Sequence, residues 1–257
     1  MTLVGFEERY IGDQFVIDLA MPEELKRLFF ARFYCRGAVC DGKEGDPARI
    51  WESLSYKKQN IKLVAPRQVH GTRIIPSAEQ YSLPLREDAD GVFIRGESKC
   101  FGSLRFADCM PVVIAGAEPE PWLLLLHSGF AGTVKNIAAR GLDYVRSELG
   151  EINADSAWAW TGPGICGKCY SRRRYGDEST SRAVKIFSSE NYRAEDDLVC
   201  FDIRGQIAGQ LSECGLKNER IFSYDKCTFC GNEPLYSYRG GDADDRIFLL
   251  AGDATKE

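Results

Sequence analysis

The stretch that decides the fold is Pro121-Trp-Leu-Leu-Leu-Leu-His127-Ser-Gly-Phe-Ala-Gly132. Trp122–Leu126 is short and continuously apolar, the pattern of a buried strand. It ends on a histidine and turns through two glycines, where a core strand would normally stop on a turn residue. Beyond the turn the period changes. Val134, Ile137, Ala138, Leu142, Val145 and Leu149 keep the i, i+3, i+4 spacing of an amphipathic helix, which Gly150 can end. A second apolar run, Pro111-Val-Val-Ile-Ala-Gly116, lies just upstream across Ala117-Glu-Pro-Glu-Pro121. The two runs read as neighbouring central strands joined by a Pro-marked loop, followed by a glycine turn and a helix.

Working outward, Phe15–Ala20 and Gly91–Gly96 read as strands bounded by turn residues. Leu198–Asp202 reads as another, and Asp202 is placed to N-cap a helix carrying Ile203, Ile207, Leu211 and Cys214, with Gly215 at its end. Arg220–Tyr224 and Arg246–Leu250 are late strand candidates. Strands and helices mix without strict alternation, which suggests an α+β fold rather than a doubly wound sheet. No linker divides the 257 residues, so residues 1–257 are expected to form a single domain of mixed β-sheets flanked by helices.

The formal net charge of −5 argues against a nucleic-acid surface. The start, Met1 to Arg9, carries acidic residues where a signal peptide needs a basic region and then a long apolar one. The longest apolar runs are too short to span a bilayer. A cytoplasmic protein with no membrane partner is the expectation. Ten cysteines in a reducing compartment are expected mostly as packed thiols, with any at ligand spacing free to bind metal.

Only two histidines occur. His127 ends the decisive strand, and His70 lies in Gln68-Val-His70-Gly71. Ala107-Asp108-Cys109-Met110-Pro111 sets a thiol just ahead of a central strand. If His70, Cys109 and His127 converge, two imidazoles and a thiolate make a three-ligand zinc site with a position left open. On residue types alone the plainer account stands beside it: hydrogen-bonded core histidines and a packed cysteine. Ser128–Thr133 could also present backbone donors to an anion at the helix start.

These segments carry a resemblance. Gln68-Val-His70-Gly71, Asp88-Ala-Asp90, Ala107–Pro111, His127-Ser-Gly-Phe-Ala-Gly132, Gly162-Pro-Gly-Ile165, Asp225-Lys-Cys-Thr228 and Ser237-Tyr-Arg239 resemble, in order, motifs of the laccase-domain (YfiH-type) family. That family was once labelled multicopper polyphenol oxidases. The resemblance implies an α+β fold similar to that of the cytotoxic necrotizing factors. It implies zinc held by His70, Cys109 and His127, which are also the expected catalytic set. It further implies activity on purine nucleosides, by phosphorolysis with phosphate and by deamination of adenosine. Two motifs depart: the family's Trp-Arg pair is Phe130-Ala131, and its Thr-Gly-Arg is Asp244-Asp245-Arg246. The first removes a cation suited to an anion. Lys135 and Arg67 are candidates to replace it, although each also reads as a solvated surface cation.

Three other readings compete with this one. A copper phenol oxidase needs more imidazoles than two, and Met110, adjacent to Cys109 on a strand, points away from it. A cysteine hydrolase or deamidase would use Cys109 as nucleophile and His127 as base. A metal-stabilised binding protein without chemistry is the third. Cys166-x-x-Cys169 and Cys227-x-x-Cys230 are two CxxC pairs, either four free thiols or a second, structural zinc site, although residues 170–226 between them exceed a compact zinc ribbon's gap of about 15–20. Arg172–Arg174 reads as a solvated loop, and Asp108 as a general-acid candidate by sequence proximity only.

Overall fold

The computed structural model describes residues 5–56, 60–96 and 98–256. The first four residues of the acidic N-terminal stretch lie outside them. The decisive stretch forms strand and helix as its pattern predicts. Its strands lie at the centre of a six-stranded mixed sheet in the order β14 (Ile221–Ser223), β10 (Trp158–Thr161), β8 (Met110–Gly116), β9 (Trp122–Ser128), β6 (Gly91–Arg95), β5 (Ile74–Pro76). The two apolar runs pair antiparallel, with Val112 opposite Leu126 and Ile114 opposite Leu124.

A second six-stranded sheet packs on this one. Its order is β1 (Phe6–Ile11), β2 (Gln14–Leu19), β3 (Phe29–Tyr34), β15 (Ile247–Asp253), β7 (Cys100–Phe106), β4 (Lys62–Val64). A small sheet of β11 (Ser171–Arg173), β13 (Leu198–Phe201) and β12 (Tyr192–Glu195) completes the strands among the described residues. The helices are α1 (Glu23–Lys26), α2 (Pro47–Ser53), α3 (Phe130–Val134), α4 (Ile137–Leu149), α5 (Glu178–Val184) and α6 (Ile203–Glu213).

The unbroken apolar run now has its cause. Leu123 and Leu125 fill the core between the two large sheets, with Val113, Leu104 and Phe106. Leu124 and Leu126 fill a second core, under α4 and α6, with Ile114, Leu142 and Ile207. Both faces of β9 are covered, so no polar residue alternates into Trp122–Leu126, and each fully buried leucine is worth about 1.5–3 kcal/mol.

The fold is the expected mixture of sheets and helices, with local differences. The helical run from Val134 is two helices, because Asn136 adopts a left-handed conformation (φ 54°) and its side chain caps Ala139 N–H at 3.2 Å. Asp202 caps α6 as expected, accepting from Gly205 N–H at 3.1 Å, and Gly215 follows the helix at φ 99°. The last strand, Ile247–Asp253, sits inside its sheet between β3 and β7. Strands β3 and β7 escape a reading by apolar pattern because Arg32 and Ser103-Leu-Arg105 interrupt them, yet every residue in both is buried. Among the described residues no helix is long and apolar enough to cross a membrane.

Candidate metal centre

The glycine turn after His127 brings three dispersed segments together. His127 ends β9, Cys109 immediately precedes β8, and His70 lies in the loop after β4. One ligand atom from each lies within 4.8 Å of the other two. The imidazole rings of His70 and His127 are 4.9 Å apart, and Cys109 Sγ lies 3.8 Å from His70 Nε2. Gly129 is required here for clearance. A Cβ on it would fall 2.6 Å from Cys109 Sγ and 3.2 Å from the His70 ring.

Asp90 holds the arrangement. Its side chain is wholly buried and accepts Nδ1–H of His127 at 2.8 Å. It also accepts backbone N–H from Val69 (3.2 Å), His70 (3.0 Å) and Gly71 (2.6 Å). Three successive N–H groups converge on one carboxylate only because His70 adopts φ 57°, a conformation few residues other than glycine accept without strain. Burial would raise the Asp90 carboxyl, but the donors from His127 and Gly71 outweigh it and hold it below its usual range. Burial holds His127 below the usual imidazole range, against the pull of Asp90. The ring is therefore neutral at pH 7, with Nδ1–H given to Asp90 and the Nε2 lone pair free to bind a cation. Burial pushes the Cys109 thiol up to about 12, with the nearby Asp108 and Asp90 adding to it.

The other motif residues are explained by what they hold. Gln68 pairs with the backbone of Arg105, donating to its carbonyl at 2.8 Å and accepting its N–H at 2.9 Å. Asp108 accepts from Thr228 Oγ1 (2.7 Å), Ser237 Oγ (2.7 Å) and Arg239 N–H (2.8 Å). The three distant motifs thus meet at one carboxylate. That commitment removes Asp108 as a general acid: it orients the chain next to Cys109. Met110 faces the helix-side core and Cys109 packs toward the sheet–sheet core, so the methionine is no ligand.

His70, Cys109 and His127 line a cavity of about 710 Å³ that also takes in Arg67, Arg86, Arg105, Arg239 and Arg246. The cations suggested by sequence already have partners. Arg67 is paired with Asp88 at 2.5 Å, and Lys135 donates to the His70 carbonyl at 3.0 Å. Arg172 is no solvated loop residue: it stacks over Phe130 at 4.4 Å and binds Asp177 at 2.8 Å. Sequence reasoning missed Arg105. Its Nη2 donates to the Pro66 carbonyl at 2.6 Å, while Nη1 is buried without a partner. Burial, with Arg86 nearby, lowers it to about 9. Chemically, the site offers two nitrogens and a sulfur to a metal ion, beside a buried cation with an unused donor.

The hydrogen-bond partner of Cys109 is His70, not the His127 expected of a Cys–His hydrolase. His127 is turned by Asp90 toward the same centre.

Relatives share this architecture and sequence. The structure of YlmD from Geobacillus stearothermophilus superposes with a TM-score of 0.79 at 18% identity, covering 97% of this chain and 98% of that one. The Bacillus licheniformis hypothetical protein YfiH superposes with a TM-score of 0.77 at 20% identity, covering 95% and 98%. The purine nucleoside phosphorylase of Aquifex aeolicus (strain VF5) is 30% identical over 186 residues, 72% of this chain and 80% of that protein. The purine nucleoside phosphorylase YfiH of Escherichia coli (strain K12) is 28% identical over 212 residues, 79% of each. The family described as multi-copper polyphenol oxidoreductase laccase matches residues 45–247, and the chain belongs to that family.

Proposed function

We propose that this protein is a zinc-dependent purine nucleoside phosphorylase whose metal is held by His70, Cys109 and His127. The observation that carries the reading is the convergence of those three side chains, with His127 locked by Asp90 so that Nε2 is left for a metal. Two imidazoles and one thiolate with an open fourth position suit catalytic zinc. They do not suit a multicopper cluster, built largely from imidazoles, since the chain has only two histidines. When bound, zinc supplies a Lewis acid for a phosphate or water oxygen.

The chain's own residues supply the rest. Arg105, which lines the cavity, would donate a guanidinium N–H to a phosphate oxygen, taking the part of the cation absent at Ala131. The other arginines of the cavity bias it toward anions. Asp90 fixes the tautomer of His127, and the Asp108 network fixes the loop that carries Cys109. The purine nucleoside is carried over from the named activities of the relatives. A metal-free Cys–His hydrolase is disfavoured, because Cys109 Sγ pairs with His70 Nε2 and not with the His127 that Asp90 orients.

Adenosine turnover tests the reaction. Adenine is expected only when phosphate is present, lost on chelation and restored by zinc; inosine without phosphate would make the enzyme a deaminase instead. Arg105→Met is expected to raise the phosphate KM about 10–100-fold while leaving the adenosine KM nearly unchanged, with folding followed by thermal melting. An unaltered phosphate KM would remove Arg105 from the anion site. Asp90→Asn is expected to weaken zinc binding about 10–100-fold, measured by competition with a chelating dye. Wild-type affinity in that variant would deny Asp90 its orienting part.

A further inference from the structure

A second cluster of possible ligands lies away from this centre. Cys166 and Cys169 follow β10, and Cys227 and Cys230 follow β14. These two strands are parallel neighbours, so the sheet delivers both CxxC turns to one place despite the long sequence gap. An isolated bridge between Gly164 and Cys227 continues the pairing up to the turns. The four Sγ atoms lie within 4.8 Å of one another. Cys166 Sγ and Cys230 Sγ are 3.9 Å apart, too far for a disulfide bond. A tetrahedral zinc with Zn–S of about 2.3 Å sets its sulfurs about 3.8 Å apart.

We propose that Cys166, Cys169, Cys227 and Cys230 form a structural tetrathiolate zinc site. The backbone is shaped for it. Cys169 and Tyr170 N–H both bond to the Cys166 carbonyl at 3.0 Å, and Gly231 N–H bonds to the Cys227 carbonyl at 3.0 Å, so each turn folds its two thiols to one side. A Cβ at Gly231 would fall 2.4 Å from that carbonyl, so the second turn needs glycine. Cys227 Sγ accepts N–H from Cys166 at 3.2 Å and from Phe229 at 3.4 Å, the pattern that stabilises negative charge on a metal-bound sulfur.

An independent observation points the same way. Cys166, Cys227 and Cys230 line a cavity of about 840 Å³ together with Arg204, at the start of α6, whose Nε and Nη2 are buried without partners. Four thiolates around a divalent ion leave a net charge of about −2, half of which a buried guanidinium offsets. On binding, each thiol releases its proton to solvent and its sulfur takes the metal.

The site would tie two turns that hold the catalytic loop. Thr228, next to Cys227, donates to Asp108, and Arg239, whose N–H also reaches Asp108, donates from Nη1 to the Cys169 carbonyl at 3.1 Å. Metal at the cysteines therefore stiffens the wall beside Cys109 without touching substrate.

Elemental analysis of the full-length protein and two paired variants tests this. Cys166→Ser with Cys230→Ser is expected to lose one zinc equivalent per chain, keep the other, and melt at lower temperature. His70→Ala with Cys109→Ser is expected to retain one equivalent whose X-ray absorption shows an all-sulfur shell at about 2.3 Å. This second variant leaves the four cysteines intact, so the test stands even if the first fails to fold. Unchanged zinc in the cysteine pair, nitrogen or oxygen in the retained shell, no retained zinc, or a Cys166–Cys230 disulfide in freshly purified protein would each overturn the proposal.

Discussion

The buried carboxylate of Asp90 is the interaction on which the candidate centre depends. A carboxylate removed from water is costly unless its lone pairs are filled, and here four donors fill them: His127 Nδ1–H and the N–H groups of Val69, His70 and Gly71. The same bonds do three things. They fix which nitrogen of His127 faces the cavity, they hold His70 in its strained backbone, and they join the loop after β4 to the strand beside β9. The His127 N–H closes the arrangement by bonding to the Asp90 carbonyl at 2.7 Å.

Asp108 plays the same part for the third ligand. Its positive φ of 82° and its three donors, from Thr228, Ser237 and Arg239, hold the chain just before Cys109 in one conformation. Segments more than a hundred residues apart are thus joined through one side chain, and the CxxC turns sit directly behind that junction. The departures from the family pattern fall into place around this frame. Asp245 caps Gly42 and Glu44 N–H at 2.9 and 2.8 Å, holding a loop at the cavity rim, and Phe130 packs among Tyr170, Phe187 and Phe201.

Much of this was legible in the sequence. Continuous apolarity in Val112–Ala115 and Trp122–Leu126 reported a strand buried on both faces, because two cores leave no wet side to alternate toward. The scarcity of histidine singled out His70 and His127. The two CxxC pairs were visible as candidates, though only the parallel pairing of β10 with β14 brings them together. Other features were hidden for physical reasons. Asn136 looks like one more polar position in a helix until its left-handed backbone breaks the run. Asp108 looked like an acid because its acceptor role depends on partners more than a hundred residues away. Arg105 drew no notice because its unpaired nitrogen is a property of packing, not of residue type.

The most direct measurement is anomalous diffraction at the zinc edge from crystals of the full-length protein. The account predicts a peak bounded by His70 Nε2, Cys109 Sγ and His127 Nε2, with His127 Nδ1 still bonded to Asp90. Density for zinc on Nδ1 of His127, or no anomalous peak among the three side chains in zinc-loaded crystals, would contradict it.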